Sequence, residues 1–128
     1  MAPIRILLAD DHDQVRVPMR ARLSRESDFQ IVAEAASSDS AVKAALVTIP
    51  NIVLMDPIMR DGHGLVALSQ IAESLPHAKL IALTAYADTA LQMELRRLGA
   101  AAILDKGIDS QRLVETIREC AQNENNHH

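Results

Sequence analysis

Five polar residues sit where apolar runs end. Asp10 and Asp11 follow the run Ile4–Ala9, and Asp56 follows Ile52–Met55. Thr84 follows residues 79–83, and Lys106 comes two residues after the apolar end of 101–104. Carboxylates brought together repel one another, and a cation stabilises their ionised state. Mg²⁺ suits such a group, because it takes one or two carboxylates plus phosphate oxygens and waters. A nearby lysine serves a phosphoryl group as a point charge, and a hydroxyl adds a further donor. A carboxylate can itself be the nucleophile and become an aspartyl phosphate. In-line transfer then needs mainly positioning and charge neutralisation. Singly, each residue has an ordinary explanation: an N-cap or loop pair, a turn hydroxyl, a solvated charge. Their recurrence at successive strand ends is the specific signal.

The elements that must position them alternate along the chain. Strands are predicted at Ile4–Ala9, Phe29–Ala35, Ile52–Met55, 79–83 and 101–104. Amphipathic helices lie between and after them. The first spans about 14–25, with Val15, Met19 and Leu23 on one face and Pro18 inside it, a cause for a kink. The second opens on Asp39 as N-cap and stops at Pro50. A turn-rich stretch, 57–64, precedes a helix carrying Leu65, Leu68, Ile71, Ala72 and Leu75, closed by Pro76. Asp88 caps a fourth helix ended by Gly99, and Asp109 or Ser110 opens the last, with Leu113, Val114, Ile117 and Ala121 inward. Short apolar strands alternating with amphipathic helices indicate a buried parallel sheet covered on both faces. In such a sheet ligands bind outside the carboxyl ends of the strands, where the strand order switches. The five residues should therefore meet at one edge.

Composition narrows the rest. The 128 residues suit one domain, 48 % apolar and 23 % charged. Phe29 and Tyr86 are the only aromatics, so Leu, Ile, Val, Ala and Met build the core. The net charge of −4 and the lack of a Lys/Arg run argue against direct nucleic-acid or membrane-surface binding. Cys120 is the only cysteine, so no internal disulfide forms, which agrees with a cytoplasmic location. No apolar run approaches the ~18 residues of a membrane span.

The opening Ile4-Arg5-Ile6-Leu7-Leu8-Ala9-Asp10-Asp11-His12 resembles the receiver domain of two-component response regulators, in particular the NarL/LuxR-type branch. So do Val53-Leu54-Met55-Asp56 with Met59 and Gly64, Leu83-Thr84-Ala85, and Gly99-Ala100-Ala101 through Lys106. The resemblance implies a flavodoxin-like (CheY-like) doubly wound α/β fold, (βα)5, with strand order 2-1-3-4-5. It implies a receiver domain over residues 1–121 and a disordered or linker tail over 122–128, where His127 and His128 resemble a tag remnant. Asp56 would accept a phosphoryl group from a sensor histidine kinase. Asp11 would bind Mg²⁺ directly, Asp10 would support it partly through water, and the Ile58 carbonyl would be a further ligand. Thr84 and Lys106 would hold the phosphoryl oxygens. The face made by the fourth helix, fifth strand and last helix would repack, with homodimerisation on phosphorylation. Regulators of this branch carry a DNA-binding helix-turn-helix domain after the receiver. None lies within these residues, so the chain is read as a cut piece or a stand-alone receiver.

Departures and competitors complete the reading. Where the family has proline four residues after the phosphoacceptor, this chain has Arg60; Pro57 follows Asp56 directly, Ile103 replaces the aromatic switch residue, and Gly107 follows the lysine. These motivate a second class of function, a pseudo-receiver that acts by protein contact without phosphorylation. A third is a haloacid-dehalogenase-like phosphatase with Asp11 as nucleophile and Asp13 as acid/base, since residues 11–15 read D-x-D-x-V. Asp56 would then have no role. A flavodoxin-like flavin carrier would need a hydroxyl- and Gly-rich phosphate loop where the acidic pair stands. His12 reads as a loop histidine, His63 and His77 as surface residues, and Cys120 as a half-buried filler. Tyr86 is a partner contact or a partly buried loop aromatic. Leu91 packs inward, and Met93 faces a partner.

Overall fold

Alternation along the strands decides the architecture. Side chains of successive strand residues point to opposite faces, so a run that is apolar throughout needs cover on both. The computed structural model describes residues 2–123. It contains β1 (Ile4–Ala9), α1 (Asp13–Leu23), β2 (Phe29–Ala35), α2 (Ser38–Thr48), β3 (Ile52–Met55), α3 (Gly64–Ser74), β4 (Lys79–Thr84), α4 (Thr89–Arg97), β5 (Ala102–Asp105) and α5 (Ser110–Gln122). The five strands form one parallel sheet in the order β2-β1-β3-β4-β5, as the resemblance implies.

The core divides into two layers. Leu7, Ala9, Val53, Met55, Leu80 and Ala82 pack with α2, α3 and α4 on one face. Ile6, Leu8, Ile52, Leu54, Ile81 and Leu83 pack with Leu23 of α1 and with Leu113, Val114 and Ile117 of α5 on the other. Every one of these twelve strand residues is buried. Cys120 and Ala121 border the second layer, half-buried.

Helix ends show where local rules hold. Asp88 caps α4 by accepting from the Leu91 N–H, and Asp109 caps α5 by accepting from the Arg112 N–H. The predicted Asp39 cap is corrected: α2 starts earlier, at a capping box in which Ser37 and Ser40 satisfy each other's backbone N–H. Asp39 instead lies in the exposed first turn and pairs with Lys43 at 3.3 Å. Two serines make this box where Ser/Thr with Glu/Gln is the usual pattern, which is why the sequence hides it. Pro18 does not interrupt α1, and it and Gln14 are exposed, so water can serve the carbonyl that loses its partner. The predicted start of the tail at residue 122 needs one correction: α5 extends through Gln122, and residues 124–128 of that tail lie outside the described ones.

The loop between β3 and α3 turns tightly back on itself at Gly64. A Cβ built there would lie 2.1 Å from the Pro57 carbonyl oxygen, a contact only backbone movement could relieve. Gly64→Ala is therefore expected to cost about 2–4 kcal/mol of stability. Urea denaturation would measure this; a loss below ~0.5 kcal/mol would mean the loop accommodates a methyl group easily.

Candidate functional site

The parallel register brings the chemistry together. Ala9 pairs with Met55 and Thr84 with Asp105, so the residues after β1 and β3 emerge side by side, as do those after β4 and β5. The Asp56 N–H donates to the Ala9 carbonyl at 3.0 Å, and the Lys106 N–H donates to the Thr84 carbonyl at 3.0 Å. The reversal of strand order at β1 and β3 falls between Asp10 and Asp56.

At the centre, Lys106 Nζ lies 2.9 Å from Asp10 Oδ2 and 2.6 Å from Asp56 Oδ2. Both carboxylates are buried, at 6 % and 4 % exposure. Asp56 Oδ1 accepts from the Ile58 N–H at 2.7 Å. Burial raises the Asp56 carboxyl above its ordinary 3.8, and the neighbouring Asp10 charge adds to this, outweighing Lys106 and the Ile58 N–H. Burial acts to lower the Lys106 ammonium, but the two carboxylates win and hold it above its ordinary 10.5.

Asp11 has a different environment. Its Oδ2 accepts from the Arg60 N–H at 2.7 Å and from Arg60 Nε at 3.2 Å, while Arg60 Nη2 donates to the Asp11 carbonyl at 2.7 Å. Burial pushes this carboxyl up, yet the Arg60 hydrogen bonds and the nearby His12 bring it below the ordinary value overall. Asp11 Oδ1 is buried and accepts no hydrogen bond. His12 Nδ1 lies 3.1 Å from it, without hydrogen-bond alignment, and 3.1 Å from Asp10 Oδ1, with it.

Thus Asp10, Asp56 and Lys106 meet as the sequence predicts, with Asp11 beside them. Thr84 is buried, and its hydroxyl donates to the Tyr86 carbonyl at 3.4 Å, a long bond. Ile58 contributes its N–H to Asp56. Sequence reasoning missed three participants. His12 joins Asp10 and Asp56 in a group whose ligand atoms lie within 4.8 Å of one another. Arg60 reaches back to Asp11. Asp61 accepts from Ser38 N–H at 2.8 Å, Ser38 Oγ at 2.7 Å and His63 N–H at 2.9 Å, tying the β3–α3 loop to the start of α2. Only the acidity of positions 11 and 61 hinted at the last two contacts. His63 and His77 are exposed, as predicted; so is Tyr86, at 74 %, which excludes a partly buried placement.

The donors suit a hard divalent cation. The clustered group offers two carboxylates and an imidazole, and beside it Asp11 Oδ1, which is not among those clustered atoms, is buried without a hydrogen-bond partner. The two carboxylates around Lys106 and the third beside them leave the pocket anionic. A phosphatase built on Asp11 and Asp13 finds no such arrangement: Asp11 is engaged by Arg60, and the largely exposed Asp13 pairs with Arg16 at 2.8 Å.

Comparison with known proteins agrees with the geometry. Residues 6–118 match the family described as response regulator receiver domain. The chain is 35 % identical to response regulator protein VraR of Staphylococcus saprophyticus, over 95 % of this chain and 58 % of that protein. It is 31 % identical to transcriptional regulatory protein LiaR of Bacillus subtilis, over 94 % of this chain and 57 % of that protein. The chain thus spans little more than half the length of these relatives. A two-component response regulator of the LuxR family from Aurantimonas sp. SI85-9A1 superposes with a TM-score of 0.88 at 28 % identity, covering 96 % of this chain and 88 % of that one.

Two outcomes follow from the charges. Asp56→Asn keeps an acceptor for the Ile58 N–H and removes a buried like charge beside Asp10, so Tm in metal-free buffer is expected to rise by about 2–5 °C. A fall in Tm by calorimetry would show that the pair with Lys106 outweighs the repulsion. Asp61 is held at about 2 by its three donors, below its ordinary 3.8. A depressed carboxyl stabilises the fold above its unfolded pKa and loses that contribution as pH falls through the folded one. Asp61→Asn should therefore lower Tm at neutral pH, with the gap to the parent narrowing between about pH 4 and about 2. A gap independent of pH would assign the loss to packing instead.

Proposed function

Because this chain belongs to the response regulator receiver domain family, we propose that Asp56 accepts a phosphoryl group from a phosphohistidine of a sensor histidine kinase. The supporting observation is the buried Lys106 ammonium bridging Asp10 and Asp56 at the strand-order reversal. An Asp56 carboxylate oxygen attacks phosphorus, a P–O bond forms, the P–N bond breaks, and the imidazole leaves with the electron pair. Lys106 holds the developing phosphoryl charge, and the Ile58 N–H fixes the rotation of the Asp56 carboxylate. Asp10, Asp11, Asp56 and the Ile58 carbonyl would hold Mg²⁺, which would supply charge neutralisation. The Thr84 hydroxyl, held only by a long bond to the Tyr86 carbonyl, is available to turn to a phosphoryl oxygen.

The domain turns over no separate substrate; it catalyses its own phosphoryl transfer and the later hydrolysis. Its output is a change of the α4–β5–α5 face, read as homodimerisation and passed to a DNA-binding domain of the whole protein, which places the protein in the cytoplasm as a transcription regulator. No helix among the described residues is long and apolar enough to cross a membrane. One observation favours a second reading, in which the domain works by contact alone: Arg60 already occupies Asp11.

Incubation with Mg²⁺ and acetyl phosphate, followed by intact-mass measurement, separates the two. The parent is expected to gain one phosphoryl group and Asp56→Ala to gain none. No gain in the parent at any Mg²⁺ level, or an equal gain in the variant, would remove Asp56 from its role.

A further inference from the structure

The loop from β3 to α3 carries its own cation into the acidic pocket. Arg60 is largely exposed, with 75 % of its side chain accessible, while Asp11 is 9 % accessible. Arg60 nonetheless folds back to make three hydrogen bonds to this one residue: its N–H and Nε to Oδ2, and Nη2 to the carbonyl oxygen. The fork matches this pair of acceptors in a way a single ammonium could not. Its reach ends at Oδ2, for Oδ1 stays buried and accepts nothing.

We propose that Arg60 is a built-in competitor for the metal-binding carboxylate: its guanidinium must leave Asp11 before that carboxylate can take a divalent cation in full. The inference rests on the reading of Asp11 as a metal ligand.

Physical chemistry makes the competition modest and reversible. An exposed ion pair with one charged partner in water is weak, and its hydrogen bonds are exchanged for bonds to solvent when it opens. The backbone N–H bond to Oδ2 does not need the side chain, so the loop stays anchored when the guanidinium swings out. Asp61 holds the same loop independently through Ser38. The release is therefore a side-chain movement rather than an unfolding of the loop. Arg60 thereby sets the Mg²⁺ concentration at which the pocket is filled.

The test is titration of the full chain with MgCl₂, by calorimetry and by NMR, in the parent, Arg60→Ala and Arg60→Lys. Arg60→Ala is expected to bind Mg²⁺ about three- to tenfold more tightly than the parent. Arg60→Lys keeps the charge but not the fork, so its Kd should lie nearer to that of Arg60→Ala. In the parent, the Arg60 Nε–H resonance should move to the position of a solvent-exposed guanidinium as Mg²⁺ saturates. Equal Kd values for parent and Arg60→Ala, a Kd for Arg60→Lys equal to the parent's, or an Nε–H resonance unmoved at saturation would each overturn the competition while leaving the metal site standing. If neither the parent nor Arg60→Ala binds Mg²⁺, the metal reading of Asp11 fails first, and the competitor with it.

Discussion

One ammonium holds three strand ends in a single chemical unit. Lys106, beyond β5, reaches across the end of the sheet to Asp10 after β1 and Asp56 after β3. Burying these groups is costly, and the attraction among them offsets that cost only because the geometry is close and the remaining lone pairs find donors. The charges do not cancel. Two carboxylates face one ammonium, and Asp11 adds a third anion whose partner comes from an exposed loop. Such a pocket favours any further cation and resists a further anion unless a cation arrives with it. Binding of a metal and acceptance of a phosphoryl group are thus linked by electrostatics before any conformational change is considered.

Everything that positions this unit follows from a parallel sheet covered on both sides. Side-chain alternation sends Leu7 and Ala9 to one layer and Ile6 and Leu8 to the other, which fixes the direction in which Asp10 leaves the sheet. The β3–α3 loop, which carries Ile58 and Arg60, is then secured at three places. Gly64 lies against the Pro57 carbonyl, Asp61 against Ser38 at the start of α2, and Arg60 against Asp11. Pro57 removes an N–H next to the acceptor, yet the strand pairing of Asp56 itself is kept by its own N–H to Ala9. The departure from the family pattern at position 57 therefore leaves the seating of Asp56 intact.

The legibility of the sequence follows the range of the forces involved. Strands β1 and β3 are bounded as predicted because their apolar runs have abrupt ends, and the bounds of β2 also match although that edge strand is only partly buried. The meeting of Asp10, Asp56 and Lys106 was readable because all three inherit their position from the sheet. What escaped were contacts between side chains and loops distant in sequence. Arg60 and Asp11 are 49 residues apart, and Asp61 and Ser38 are 23 apart, with no periodicity to link them. His12 lies near acids, as its reading as a loop histidine implies, but those acids are the two residues just before it, Asp10 and Asp11, with no ligand spacing along the chain to mark a cluster with Asp56. The Ser37–Ser40 box was hidden by an acidic residue between them that looked the better cap.

The substitution of Ile103 bears on how a change at Asp56 could reach the outer face. Ile103 pairs with Ala82 in the sheet and lines a cleft of about 240 Å³ together with Thr84, Gln92, Arg96 and Asp105. An aliphatic side chain here has no large flat ring to swing between two positions, so a threonine–aromatic relay lacks its second member. The hydrogen bonds offer a shorter connection. The Thr84 hydroxyl donates to the Tyr86 carbonyl, Gln92 Nε2 donates to the Ala87 carbonyl at 2.9 Å, and the Leu91 N–H donates to Asp88 Oδ1 at 2.9 Å. These contacts run from the end of β4 to the first turn of α4 along one short loop. Turning the Thr84 hydroxyl toward the acceptor would break the weakest of them and release the Tyr86 carbonyl, with the exposed Tyr86 ring beside it. A local change of charge would then act on the start of α4 directly, through the backbone that joins it to β4, with no aromatic side chain required.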